Sequence, residues 1–204
     1  MTKQIAPETY YETILPRRAR PQPSPKFYLG GDCGACVLAG LTNLPNIELA
    51  YKLFQKDGKI EPWSQPTMRD AVYSAKSKGF LDRIMTHHPS WQVWEGHQTW
   101  GSASWKQSLE WYEYINMAID AGYYGIASIN IDGKGPLVET DHLVLICGTR
   151  ERVEPNKYVE GAGDIIQEIF VSCSAKHPEG RWYEIRDFLT YRGGFNCYLV
   201  RPSK

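Results

Sequence analysis

The 204-residue chain carries 23 basic and 23 acidic side chains and a formal net charge of zero, so its electrostatics favour neither nucleic acid nor an anionic membrane as a main partner. The length suits one ordinary domain with a real core, and no apolar run approaches the ~20 residues that span a bilayer. Five cysteines are an odd, sparse set and not a disulfide framework, and residues 1–10 lack the apolar core of a secretory signal; both point to a reducing, cytoplasmic setting.

In chain order, residues 1–26 read as an arm. Pro16-Arg17-Arg18-Ala19-Arg20-Pro21-Gln22-Pro23-Ser24-Pro25-Lys26 alternates proline with charge, which favours extended backbone over helix. A single domain is expected over residues 27–204. Leu29-Gly30-Gly31-Asp32 makes a turn, Asp32 can cap a helix, and the apolar residues after it predict a buried helix ending near Pro45. Two more helices are expected at about 46–55 and 67–78, the latter closed by Gly79. Residues 80–104 read as an aromatic-rich insertion holding His87, His88 and His97 among Trp91, Trp94 and Trp100. With Trp105 and Trp111, these tryptophans fill a core or lid more readily than they line a cleft.

A helix over 106–121 follows, with Leu109, Tyr112, Ile115, Met117 and Ile119 in apolar positions and Gly122 at its end. Strands are expected at 124–131, from His142 through Leu143–Cys147, at 165–173 and at 195–200. Residues 151–164 are charged and read as a hairpin excursion, and 183–191 as a short helix. Helices thus crowd the first half and strands the second. That segregation predicts an α+β fold with an antiparallel sheet.

The chemistry concentrates in two places. Cys33-Gly34-Ala35-Cys36 opens the first helix, and a helix N-terminus stabilises a thiolate. His142 heads an apolar strand, where its imidazole can take a thiol proton and return it later. Such a pair needs neither metal nor cofactor. The CxxC spacing also fits a redox motif or half a zinc site. Yet Cys147, Cys173 and Cys197 stand singly, and no βαβ pattern surrounds the motif. His87, His88 and His177 sit in loop or turn compositions and read as surface groups.

Asp32-Cys33-Gly34, then Ala35 and Leu38-Ala39, followed by Ile119-Asp120-Ala121-Gly122, Ile126-Ala127-Ser128-Ile129 and His142-Leu143-Val144-Leu145, resembles the papain-like cysteine peptidases. The nearest branch is that of the double-glycine leader peptidases that process bacteriocins. Phe170-Val171-Ser172-Cys173, Glu184 to Leu189 and Tyr198-Leu199-Val200 follow the same plan. The resemblance implies a papain-like domain whose N-terminal helical half packs its nucleophile helix on the C-terminal sheet. It further implies a cysteine hydrolase acting on peptide or amide bonds of a peptide or protein substrate through a thioester.

In that register Cys33 is the nucleophile and His142 the base. The papain register, Cys-Gly-Ser-Cys, would make it Cys36. Gly31-Asp32-Cys33 is also similar to the calpain-like branch, and a helix starting at Cys36 would keep only about two turns before Pro45. Where the family places Asn or Asp to orient the imidazole, this chain has Ser172-Cys173-Ser174. Ser172 is the candidate there and Cys173 the alternative. Asp141 adjoins His142, but neighbouring strand residues face opposite ways. The family's oxyanion glutamine falls on Phe27 or, in the other register, Gly30, leaving backbone N–H groups or Tyr28 for that task. An amine acceptor in place of water would make the protein a transferase. The departures at the glutamine and asparagine positions also suit an inactive descendant that only binds a peptide.

Overall fold

His142-Leu143-Val144-Leu145-Ile146-Cys147 is buried at every position. A strand with both faces covered must lie between two layers, and this one organises the molecule. The computed structural model describes residues 8–21, 33–41, 43, 105–129, 142–156, 158–159, 162–188 and 196–201, with two-residue strands at 55–56, 59–60, 92–93 and 98–99. The elements are β1 (Glu8–Ile14), α1 (Cys33–Leu41), β2 (Gln55–Lys56), β3 (Lys59–Ile60), β4 (Gln92–Val93), β5 (Gln98–Thr99), α2 (Trp105–Asp120), β6 (Tyr124–Ile129), β7 (His142–Pro155), β8 (Gly163–Cys173), β9 (His177–Glu184), α3 (Ile185–Asp187) and β10 (Asn196–Arg201).

The main sheet runs β10-β6-β7-β8-β9, with β4 and β5 on the outer side of β10, and its pairings are antiparallel. The expected α+β class with an antiparallel sheet is therefore present. The helices expected at 46–55 and 67–78 and the insertion at 80–104 lie outside the described residues, apart from the short strands β2, β4 and β5.

Two strands exceed their expected lengths. β7 continues through Arg150-Glu151-Arg152-Val153-Glu154-Pro155 and β8 begins at Gly163, so the hairpin expected over 151–164 is present as the paired extension of these two strands. Charge does not break a strand whose neighbours answer it. Arg150 pairs across from Glu168, and both Arg150 and Arg152 donate Nε–H to one carboxylate oxygen of Glu168, at 2.6 and 2.8 Å. The lead-in also contributes. Residues 8–14 form β1, which pairs with the second half of β7 while β6 pairs with the first. Residues 15–21 then cross the sheet and bury Ala19.

The two sheet faces carry different layers. On one face Val144 and Ile146 of β7, Ile169, Val171 and Cys173 of β8, and Ala127 and Ile129 of β6 form a cluster with α2 and α3. The α2 stripe is Trp111, Tyr112, Ile115, Ala118 and Ile119, a helical repeat of three and four. Leu109 and Met117 fall off that stripe and are exposed, contrary to the expectation for them. The helix ends as its glycine predicted: Gly122 has φ 84°, Gly122 N–H bonds the Ile119 carbonyl, and Tyr123 N–H bonds that of Ala118.

On the other face lie residues 15–21 and α1. Leu15 N–H bonds the Cys147 carbonyl at 2.7 Å, and Arg20 N–H bonds the Cys36 carbonyl at 2.9 Å. A side chain at Gly40 would place its Cβ 1.9 Å from the Arg18 carbonyl oxygen, so only glycine permits this approach. The short helix expected at 183–191 is reduced to α3 within the described residues, because β9 runs to Glu184.

Candidate functional site: a buried thiol and imidazole on one sheet face

His142 opens β7 opposite Ile129 of β6. Side chains alternate along a strand, so His142 shares its face with Val144 and Ile146, the face that α2 covers. Cys173 ends β8 on that same face. Its Sγ lies 3.3 Å from His142 Nε2, with both residues buried at 4% and 7% exposure. A neutral thiol can donate its proton to Nε2 there. Once the proton has moved, the imidazolium N–H donates back to the thiolate, so one contact serves both states. Beside Cys173 is a small cavity of about 10 Å3, the room of one water, walled by Ile129, Val144, Val171, Tyr183 and Phe188, with the exposed Lys176 at its margin.

The expected partner of His142 is elsewhere. Cys33 does open a helix, α1, and is buried at 5% exposure, with Cys36 fully buried one turn on. But α1 packs against residues 18–20, which are fixed to the opposite face of the sheet. Strand parity thus sets His142 on the sheet face away from the one that residues 18–20 and α1 cover. The helix lies on the face of Leu143, Leu145 and Ser172, while the imidazole lies on that of Val144 and Cys173. Cys36 instead turns its Sγ toward the Pro21 carbonyl, 3.8 Å away.

Ser172 is corrected for the same reason. Its hydroxyl accepts the Ala19 N–H at 2.9 Å and donates to the Pro178 carbonyl at 2.7 Å. It fastens the lead-in to the start of β9 and does not steady the imidazole. Ser172→Ala would leave the buried Ala19 N–H without its acceptor, and we expect a loss of about 1–3 kcal/mol in urea denaturation. The His142 titration followed by NMR should not move; a shift would return Ser172 to the imidazole.

The remaining thiols are poor nucleophiles. Burial pushes Cys197 up to about 12. Burial does the same to Cys147, raised to about 12 although the Arg18 guanidinium nearby opposes the shift. Cys173 was foreseen only as a possible orienting group. The signal that could have found it as the thiol is strand parity: His142 and Cys173 point the same way once Leu145 is set across from Ser172. Asp141, Phe27, Tyr28, Gly30, His87, His88 and His97 lie outside the described residues. His177 starts β9, with Nδ1 3.5 Å from a Glu179 carboxylate oxygen. Among the described residues no group of three or more His, Cys, Asp or Glu could hold a metal ion, and no helix is long and apolar enough to cross a membrane. No protein-family profile, curated protein or solved structure matches the chain.

Proposed function

We propose that this protein is a thiol-dependent hydrolase of peptide or amide bonds, with Cys173 as nucleophile and His142 as its acid–base partner. The 3.3 Å contact between the Cys173 sulfur and His142 Nε2 carries the proposal. A nucleophile and base within hydrogen-bond reach are the signature of covalent catalysis by cysteine. From the papain-like resemblance the proposal keeps the chemistry, thiolate attack on a carbonyl, and leaves aside the pairing of Cys33 with His142.

The steps follow from the contact. Nε2 takes the Sγ proton, and the thiolate attacks the carbonyl carbon of the scissile bond. The tetrahedral intermediate collapses as Nε2–H gives its proton to the departing amine, leaving a thioester on Cys173. Nε2 then deprotonates a water that attacks the thioester, releasing the acid and restoring the thiol. A peptide amine in place of that water would give transfer. Burial of the pair and the one-water cavity favour a second reading, a non-catalytic scaffold in which thiol and imidazole merely satisfy each other.

Iodoacetamide labelling near neutral pH, read by mass spectrometry, separates the two. The enzyme reading expects Cys173 to label at least about tenfold faster than Cys147 or Cys197, because an imidazole nitrogen 3.3 Å from its sulfur can take the proton as the thiol reacts. It also expects His142→Gln to erase the preference with the circular-dichroism spectrum unchanged. Equal, slow labelling of all five cysteines would favour the scaffold, and fast labelling of Cys33 alone would restore α1 as the nucleophile helix.

A further inference from the structure

The face opposite the thiol–imidazole pair holds a cavity of about 600 Å3 between residues 16–21, the end of α1 and the start of β9. Its size lies within the range of small-molecule sites. Among the described residues that line it are three arginines, Arg17, Arg18 and Arg20, and one acid, Glu179. In a chain of zero net charge, this is a local excess of positive charge.

The way these cations are held matters more than their number. Arg17 donates from Nη1 to the Leu41 carbonyl, and its backbone N–H bonds the Tyr124 hydroxyl at 3.1 Å. Arg18 donates from Nε to the Glu179 carbonyl at 3.2 Å and from Nη1 to the carbonyls of Leu15 and Arg17, with its guanidinium 4.8 Å above the Phe170 ring. Carbonyls and a ring face orient a guanidinium without cancelling its charge. Among the described residues, neither Arg17 nor Arg18 meets a carboxylate. Arg20 Nη2 lies 3.4 Å from Asn43 Oδ1 on the cavity wall. The Glu179 side chain is 70% exposed and sits beside His177. The backbone that carries the arginines is fixed by Leu15 N–H, Ala19 N–H and Arg20 N–H, so little ordering remains to oppose binding.

We infer that this cavity binds a small multivalent oxyanion, a ligand presenting phosphoryl or carboxylate oxygens to the positive side chains of Arg17, Arg18 and Arg20. Guanidinium reads both oxygen geometries through paired, charge-assisted hydrogen bonds. The site is independent of Cys173 and His142.

Isothermal titration of the full chain with pyrophosphate and with citrate, at matched low ionic strength, tests it. Saturable binding of at least one is expected. Arg20→Gln should weaken it about tenfold, the worth of one charge-assisted contact. Glu179→Gln removes the opposing carboxylate at an exposed position and should bind at least as tightly as the parent chain, a result that a misfolded variant cannot imitate. Preference for pyrophosphate would identify a phosphoryl ligand, and preference for citrate a polycarboxylate. The inference fails if neither anion binds saturably, if Arg20→Gln binds unchanged, or if Glu179→Gln binds more weakly.

Discussion

Replacing Glu168 by alanine is expected to remove about 2–3 kcal/mol of stability in urea denaturation, the cost of deleting the buried acceptor that two charge-assisted hydrogen bonds share. Glu168 is 5% exposed and takes the Nε–H groups of Arg150 and Arg152 on a single oxygen. The two arginine side chains are 21% and 18% exposed. Arg150 is held in place by the Trp182 ring, 4.2 Å from its guanidinium carbon. That contact opposes a swing into solvent when its partner is lost. The remaining acids compensate in part: Arg152 keeps its Nη1 hydrogen bond to the Glu154 carboxylate and lies 3.7 Å from Glu184, whereas Arg150 keeps, among the described residues, only Glu12 at 3.8 Å, all three at exposed side chains. Two guanidinium groups would then face each other across the space left by the carboxylate. Glu168→Gln keeps an acceptor and should lose less than the alanine variant. A loss below about 1 kcal/mol for Glu168→Ala, the level of a surface pair, would show that the cluster is not holding β7 to β8.

How far this arrangement was readable in the sequence differs from element to element. α2 was legible because its stripe repeats at helical spacing and Gly122 marks its end. The buried first half of β7 was legible as a continuous apolar run. Its second half was legible only as a hairpin and not as the same strand continued, since Arg150, Glu151 and Arg152 join that strand when β8 places Glu168 beside them, sixteen or more residues away. β1 was hidden for a related reason. Glu8-Thr9-Tyr10-Tyr11 has no local signal strong enough to outweigh the proline-rich segment after it, and its pairing with β7 is more than a hundred residues distant.

The site shows the same limit more sharply. Cys33 and His142 were each placed correctly on an element, a helix start and a strand start. What the spacing of two motifs does not encode is the face of the sheet on which each layer lies. One residue of strand phase decides whether His142 meets α1 or α2, and whether Ser172 or Cys173 lies beside its ring. The lead-in settles that phase, because residues 15–21 occupy the Ser172 face and bring α1 with them.

The covering of the other face sets the second large effect. Trp111→Ala should cost about 3–5 kcal/mol, the range for truncating a large aromatic in a closed core. Trp111 is 1% exposed and stacks with Phe188 at 6.4 Å between centroids, in the cluster that also holds Val144, Val171 and Cys173. Trp111→Phe retains part of that contact and should cost less. Because α2 is the lid over His142 and Cys173, loosening it changes access before it changes chemistry. Iodoacetamide should therefore reach Cys173 faster in Trp111→Phe than in the parent, while Cys33, on the opposite face, keeps its rate. If the imidazole activates the thiol, adding His142→Gln to Trp111→Phe should remove most of the gain, since an opened but unactivated thiol remains a weak nucleophile. If the gain survives that second change, burial alone governs Cys173, and the contact with His142 is a feature of packing and not of catalysis.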